Sequence, residues 1–456
     1  MQLLDGLSEF VAGISFRNLP PETVEQIKLH VFDSLAATRV GAGTDEAKAN
    51  LDLLKSMNPA LETSGVPVAG FSFSAPLPSA VFLSCVATRL TEMDDIDIAS
   101  CTTPGSVAVP AALCLASHAG ASGEKFLEGA LAGYEVITRL GAAVNGPEIL
   151  YRGIWPTYLC GAIGVAAVAS KILGLAVDQI RHAIAISIAL STGISGRTKG
   201  GWSSRWLTLG CAAQNGVTAA MAAGSGFAGD ASVLDSAFKS MVGLDLDPQV
   251  VLKGLGEEFQ IAKVNLKPYC SARQAIASIE AFRWLQKKHS IDPNAVEEIE
   301  VMVPRHYKEM IDRGTFPDDR LASITSVQYQ LALAAFFEED LYDSERKALR
   351  DTEQVRTFMK KVHVAPSPDL TTFFPRKWPG RITLRISGER FEHEVLAPKG
   401  DADDPMTWEE VERKWKRALR PPGGADQIEG LKKAVMSLKG AAKVDDLLRA
   451  LSPSKE

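Results

Sequence analysis

Between about residues 110 and 223 the chain passes through five segments (110–118, 125–140, 161–173, 177–190 and 212–223) rich in alanine and glycine, with the spacing of helices. Small side chains let helix backbones approach closely, so a succession of this kind buries itself as helix packed on helix. Aromatic residues are 7% of the chain against 46% hydrophobic residues overall, which leaves Ala, Val, Leu and Ile to fill the interior and disfavours a β-sandwich. Upstream, Pro20-Pro21-Glu22 opens another helix, with Val24, Ile27, Val31 and Leu35 at helical spacing and proline in the first turn, where its missing N–H is no loss. The uncharged stretches 153–170 and 206–229 contain Gly, Thr, Ser or Asn and read as buried core helices rather than membrane spans.

After about residue 285 the pattern changes. Ile299, Val301 and Val303 alternate with Glu298, Glu300 and Met302; Val362 and Val364 flank His363; Ile382, Leu384 and Ile386 precede a turn at Ser387-Gly388 that leads into 391–396. These are strands, with a helix expected at 326–338 between them. Amphipathic helices return with Val411/Trp415/Leu419 and then Ile428/Leu431/Val435/Leu438. A chain of 456 residues exceeds the roughly 100–200 residues of one ordinary domain. The expected architecture is mainly α with a smaller α+β domain: a helical domain over 1–265, an α+β lid over 266–400, and C-terminal helices over 401–456 that complete the helical domain.

A net charge of −6 with scattered Lys and Arg offers no basic field, so nucleic acid is not an expected partner. Six cysteines lie far apart without a C-x-x-C pair and read as reduced core thiols, which points to a cytoplasmic protein. The opening Met-Gln-Leu-Leu-Asp-Gly lacks a basic segment followed by an apolar core, so no secretory signal is expected.

Four stretches carry candidate chemistry. Glu92-Met-Asp-Asp-Ile-Asp97 packs four carboxylates into six residues. If Asp94 or Asp95 points inward, desolvation would raise its pKa toward that of a general base; a solvated loop or a helix-capping set has the same composition, and a D-D-x-D magnesium site would need a second acidic set that the chain does not display. In Gly153-Ile-Trp-Pro-Thr-Tyr-Leu-Cys-Gly161, Pro156 puts Thr157 at a helix N-terminus suited to an anionic oxygen, or simply starts a helix. Arg197-Thr-Lys-Gly-Gly-Trp-Ser-Ser-Arg-Trp206 combines cations and indoles in a manner that suits a carboxylate or a solvated loop. Lys267-Pro-Tyr, at the expected domain junction, suits an anion clamp or a lysine of lowered pKa, or is a structural turn. No G-x-S-x-G, H-E-x-x-H or Walker loop occurs, and none of the seven histidines falls in these stretches.

In order and spacing these motifs resemble the MmgE/PrpD superfamily, which includes 2-methylcitrate dehydratase, cis-aconitate decarboxylase and an iminodisuccinate epimerase. Asp33-Ser-Leu-Ala-Ala, Glu92-Met-Asp-Asp, Thr103-Pro-Gly, Trp155-Pro-Thr, Gly210-Cys-Ala-Ala with Gly226-Phe-Ala-Gly, Lys267-Pro-Tyr and Ser326-Val-Gln-Tyr329 are similar to the family's segments over nearly the whole chain. The resemblance implies a helical domain with an α+β lid, a homodimer, no metal or organic cofactor, and proton transfer next to a carboxylate of a small molecule. It implies Asp94, Lys267 and Tyr329 as catalytic residues, with Thr103, Trp155, Thr157, Lys199, Arg205 and Gln274 around the substrate. Thr103, Trp155, Thr208 and Gln274 stand where the family often has histidine, and Arg205 where lysine is common. Losing imidazoles removes side chains that titrate near neutral pH, and Trp155 makes the site more apolar. The expected function is therefore a lyase or isomerase; the alternatives are a tailoring enzyme acting on a larger, less polar intermediate, or a binding protein that has lost catalysis.

Overall fold

The small-residue segments are helices, and four of the five run beyond the apolar pattern: Gly105–Ala119, Gly123–Ala143, Pro156–Leu173, Val177–Ala189 and Ser204–Gly224. The structure, a computed structural model, describes residues 3–62, 64–196, 202–420 and 423–453. Local signals account for several helix starts. Ser122 accepts the Lys125 N–H at 3.2 Å, and prolines occupy the first turns of Pro21–Gly41 and Pro156–Leu173. Gly105–Ala119 begins five residues earlier than expected and holds Pro110 in its interior, where a turn of helix forgoes one backbone bond.

Two units divide the chain. Unit 1 takes 1–197, 202–264 and 419–456 and contains all five small-residue helices. At Gly133 a β-carbon would stand 2.6 Å from the Val168 side chain and 2.7 Å from that of Ala108, so only glycine allows those helices to approach so closely. Pro156–Leu173 is long and apolar enough to cross a membrane, but 94% of it is buried inside the fold. Val66–Pro67 (β1) and Ser74–Ala75 (β2) form a short antiparallel pair ahead of helix Leu77–Leu90.

Unit 2 spans 265–418. Its sheet consists of β3 (Glu298–Val303), β4 (Val362–Pro366), β5 (Gly380–Ile386) and β6 (Glu389–Val395) in the order β4-β3-β5-β6, with β3 and β4 parallel and the other pairs antiparallel. The alternation in β3 buries Ile299, Val301 and Val303, and helix Arg273–Lys288 packs on β5 and β6. The C-terminal boundary differs from the expected one. Helix Trp408–Ala418 belongs to unit 2, and the chain returns to unit 1 at Leu419. Arg417 anchors that helix by stacking 3.6 Å above Tyr342 and pairing with Glu339 at 2.7 Å.

Candidate active site

The acidic run leaves helix Leu77–Leu90 through Glu92, whose φ of 51° turns the chain back on itself, and its four carboxylates then diverge. Asp95 is fully buried. Its Oδ1 accepts the Gly105 N–H at 2.9 Å, and its Oδ2 accepts the Tyr134 hydroxyl at 2.5 Å and lies 3.0 Å from His30 Nδ1. It thus caps helix Gly105–Ala119, which explains that helix's early start. A β-carbon on Gly105 would stand 2.5 Å from Tyr134 Oη and 2.6 Å from Asp95 Oδ2. Burial first, then the Asp95 charge, pushes the Tyr134 pKa well up, so this phenol stays protonated as a donor. Asp97 accepts the Ser100 N–H at 2.7 Å, and burial raises its pKa to about 6.

Glu92 and Asp94 face the other way, toward two guanidinium groups. Arg89 Nη1 lies 2.6 Å from Glu92 Oε2 and 3.1 Å from Asp94 Oδ1, and Arg205 pairs with Glu92. All four residues are buried. Burial alone would lower the Arg89 pKa, but Asp94 and then Glu92 outweigh it and hold it above its ordinary value. Arg205 lies not in a loop, as its glycine-rich surroundings suggest, but in the first turn of Ser204–Gly224, where Trp206 and Trp155 flank it at 4.1 and 5.1 Å. Trp155 stacks nearly parallel on Tyr158 at 5.7 Å and donates its indole N–H to Gly196 O at 3.0 Å. The Tyr158 hydroxyl is buried without a hydrogen-bond partner among the described residues. Burial raises its pKa, with Arg205 and Arg89 opposing.

Thr103 and Thr157 serve each other. The Thr103 N–H reaches Thr157 Oγ1 at 2.9 Å, and Thr103 Oγ1 lies 3.1 Å from Ser106 Oγ. The Thr157 hydroxyl therefore ties the first turn of Pro156–Leu173 to the loop ahead of Gly105–Ala119, a use that the helix-start reading did not anticipate. Thr208, half-buried, donates back to Ser204 O at 3.1 Å.

Unit 1 thus gathers Asp94, Thr103, Trp155, Thr157 and Arg205. Unit 2 carries Lys267, Gln274 and Tyr329, all nearly fully buried. Lys267 follows Leu266, whose N–H bonds Gly400 O at 2.9 Å, and Gln274 lies in the first turn of Arg273–Lys288. Ser326 caps Val327–Phe336, and the Tyr329 hydroxyl oxygen there accepts the Arg350 N–H at 2.7 Å. Burial raises the Tyr329 pKa, partly opposed by that bond. Lys199 falls outside the described residues.

Arg89, His30, Tyr134 and Tyr158 went unrecognised in the sequence. Arg89 did leave a signal, as the lone cation near the end of an otherwise uncharged helix that runs into an acidic loop. Among the described residues no group of three or more His, Cys, Asp or Glu side chains is arranged to hold a metal. Five of the six cysteines are buried and Cys211 is exposed; all are free thiols.

The chain thus combines a large small-residue helical unit, with buried carboxylate–guanidinium pairs beside two tryptophans, and a second unit built on a small mixed sheet. Residues 5–244 match the MmgE/PrpD N-terminal domain and residues 269–439 the MmgE/PrpD C-terminal domain, and the chain belongs to that family. It is 24% identical to the cis-aconitate decarboxylase-like protein oryM of Aspergillus oryzae, over 98% of this chain and 96% of that one. It is 21% identical to a cis-aconitate decarboxylase of Aspergillus terreus (98% and 95% covered) and 24% identical to that of Mus musculus (98% and 93%).

Proposed function

We propose that this protein is a lyase that moves a proton next to a carboxylate of a small organic acid. The observation that carries the reading is the buried set Arg89, Arg205, Glu92 and Asp94 beside the unpartnered Tyr158 hydroxyl. A polar group so deep without a partner is costly, and a substrate oxygen is a natural partner for it. In an elimination, Asp94 takes the proton from carbon, the electron pair is delocalised into the substrate carboxylate, and the leaving group departs with a proton from a tyrosine. In a decarboxylation, the electrons of the breaking C–C bond pass into the conjugated carboxylate, CO₂ leaves, and a tyrosine returns a proton to carbon. In either case the Arg205 guanidinium stabilises the charge that develops on oxygen and Tyr158 supplies the proton; Lys267 and Tyr329, carried by unit 2, are the further candidates for those two roles. The relatedness to decarboxylases supports the lyase class. The same reading carries a homodimer in a reducing compartment, with light scattering to check the dimer.

A second reading, a larger and less polar intermediate, is favoured by one observation: Trp155, which stands where the family often has histidine, stacks on Tyr158 and joins Trp206 in flanking Arg205 with aromatic surface. Proton NMR in D₂O with cis-aconitate, 2-methylcitrate, citrate and iminodisuccinate separates the two. Turnover or deuterium uptake that is lost in Lys267→Ala and Tyr158→Phe supports the small-acid reading. Silence across the panel rejects it in favour of the apolar substrate.

A further inference from the structure

The residues directly after Lys267 lead into a cavity of unit 2 that the proposed reaction leaves unused. Pro268 and Tyr269 form part of its wall, and its volume is about 240 Å³. The described residues that line it include five cations (Arg283, Lys399, Arg413, Lys414 and Arg417) against one carboxylate, Glu410. Lys414 is 2% exposed, so a charged side chain is built into the cavity rather than swept over it from the surface. Arg283 donates to the Tyr269 hydroxyl at 2.8 Å, which holds its guanidinium against the wall.

The partners of Arg283 and Arg417 sit largely in water. Arg283 and Arg417 share Glu338, whose side chain is 45% exposed, and Arg417 also pairs with Glu339, which is 70% exposed. Solvated pairs of this sort are weak and readily exchanged for a better anion. Lys399 divides its charge between Asp404 at 3.1 Å and Glu410 at 3.2 Å. Arg413, exposed on the same helix face region, has no hydrogen bond or ion pair among the described residues. A preponderance of cations along the wall of an open cavity, with Arg413 uncommitted among the described residues, is an arrangement that lowers the energy of a bound anion.

We infer that this cavity, lined among the described residues by none of the groups assigned to catalysis, binds a small organic dianion, a phosphate monoester or a dicarboxylate. Its volume lies below the roughly 300–1,000 Å³ of sites for drug-sized ligands, which selects a small metabolite over a nucleotide. Guanidinium forks match both phosphate and carboxylate oxygens, and Tyr342 and Met406 line the cavity for the carbon skeleton. The Cys270 N–H bonds Leu341 O at 2.9 Å, so the segment that carries Lys267 is tied to the one that carries Tyr342. Insofar as Lys267 acts as proposed above, an occupant of the cavity is placed to tune it.

Isothermal titration calorimetry on the full chain tests the site, with inorganic phosphate, glycerol 3-phosphate and succinate as separate probes. Binding is expected for at least one probe, weakening with salt, and weakening at least about tenfold in Arg413→Glu and again in Arg413→Glu/Arg417→Glu. Lys267→Ala should still bind, its affinity changing far less than that of Arg413→Glu, which keeps this test independent of the catalytic assignment. Preference for glycerol 3-phosphate or for succinate identifies the source of the dianion. No binding by any probe, equal binding in Arg413→Glu, or loss in Lys267→Ala with retention in Arg413→Glu would each overturn the inference, the last by moving the anion to the candidate catalytic site.

Discussion

Replacing Asp95 with alanine should unfasten the N-terminus of helix Gly105–Ala119 without touching the groups proposed for catalysis. The carboxylate serves three partners, Gly105 N–H at 2.9 Å, the Tyr134 hydroxyl at 2.5 Å and His30 at 3.0 Å, all buried. Each buried polar group left unsatisfied costs about 1–3 kcal/mol, so the loss is at least about 3 kcal/mol, before the cavity left by the side chain is added. At about 1.4 kcal/mol per tenfold change, amide exchange in the first turns of that helix should accelerate at least about a hundredfold. Hydrogen–deuterium exchange read by mass spectrometry on peptides covering 103–112 measures this directly. Asp95→Asn keeps an oxygen for the Gly105 N–H and should lie between the alanine variant and the unaltered protein. Asp94→Asn, which leaves the cap in place, should accelerate exchange there less than Asp95→Ala does. If Asp95→Ala exchanged like the unaltered protein, the division of the acidic run into a structural and a chemical carboxylate would be refuted.

Gly105→Ala should destabilise unit 1 by about 1–3 kcal/mol through overpacking against Tyr134 and Asp95, read as a lowered urea midpoint; an unchanged midpoint would contradict the close approach. Arg205→Met removes one of the two guanidinium groups that serve Glu92 and should cost about 3–5 kcal/mol, read as a drop in melting temperature, with a change within about 0.5 kcal/mol counting against the buried network. Asp97 has its pKa raised from 3.8 to about 6 in the folded chain, so the stability it contributes is full below its unfolded pKa and is lost as pH rises through about 6. Asp97→Asn keeps an acceptor for the Ser100 N–H and should flatten the decline in urea midpoint between about pH 4 and pH 6, by up to about 3 kcal/mol. A parallel decline in both proteins would exclude that titration.

The elements themselves were legible from sequence because helix and strand are set by per-residue geometry. Small apolar residues at helical spacing marked the helices of unit 1, and the alternation Ile299, Val301, Val303 marked β3. So were the residues that carry the family resemblance, Lys267 and Tyr329 among them, since each sits in a short local motif. Which carboxylate of the acidic run does what could not be read this way. Asp94 and Asp95 are neighbours of identical chemistry, and they part because the alternate direction of adjacent side chains sends one to Arg89 and the other to His30 and Tyr134, which lie 65 and 39 residues away. The same holds for the helix Trp408–Ala418, whose amphipathic pattern fits either unit until Arg417 finds Tyr342 and Glu339. Periodicity specifies which face of a segment is buried; only the packed chain specifies against what, because a long-range partner is chosen by shape and charge complementarity between elements that no local spacing encodes.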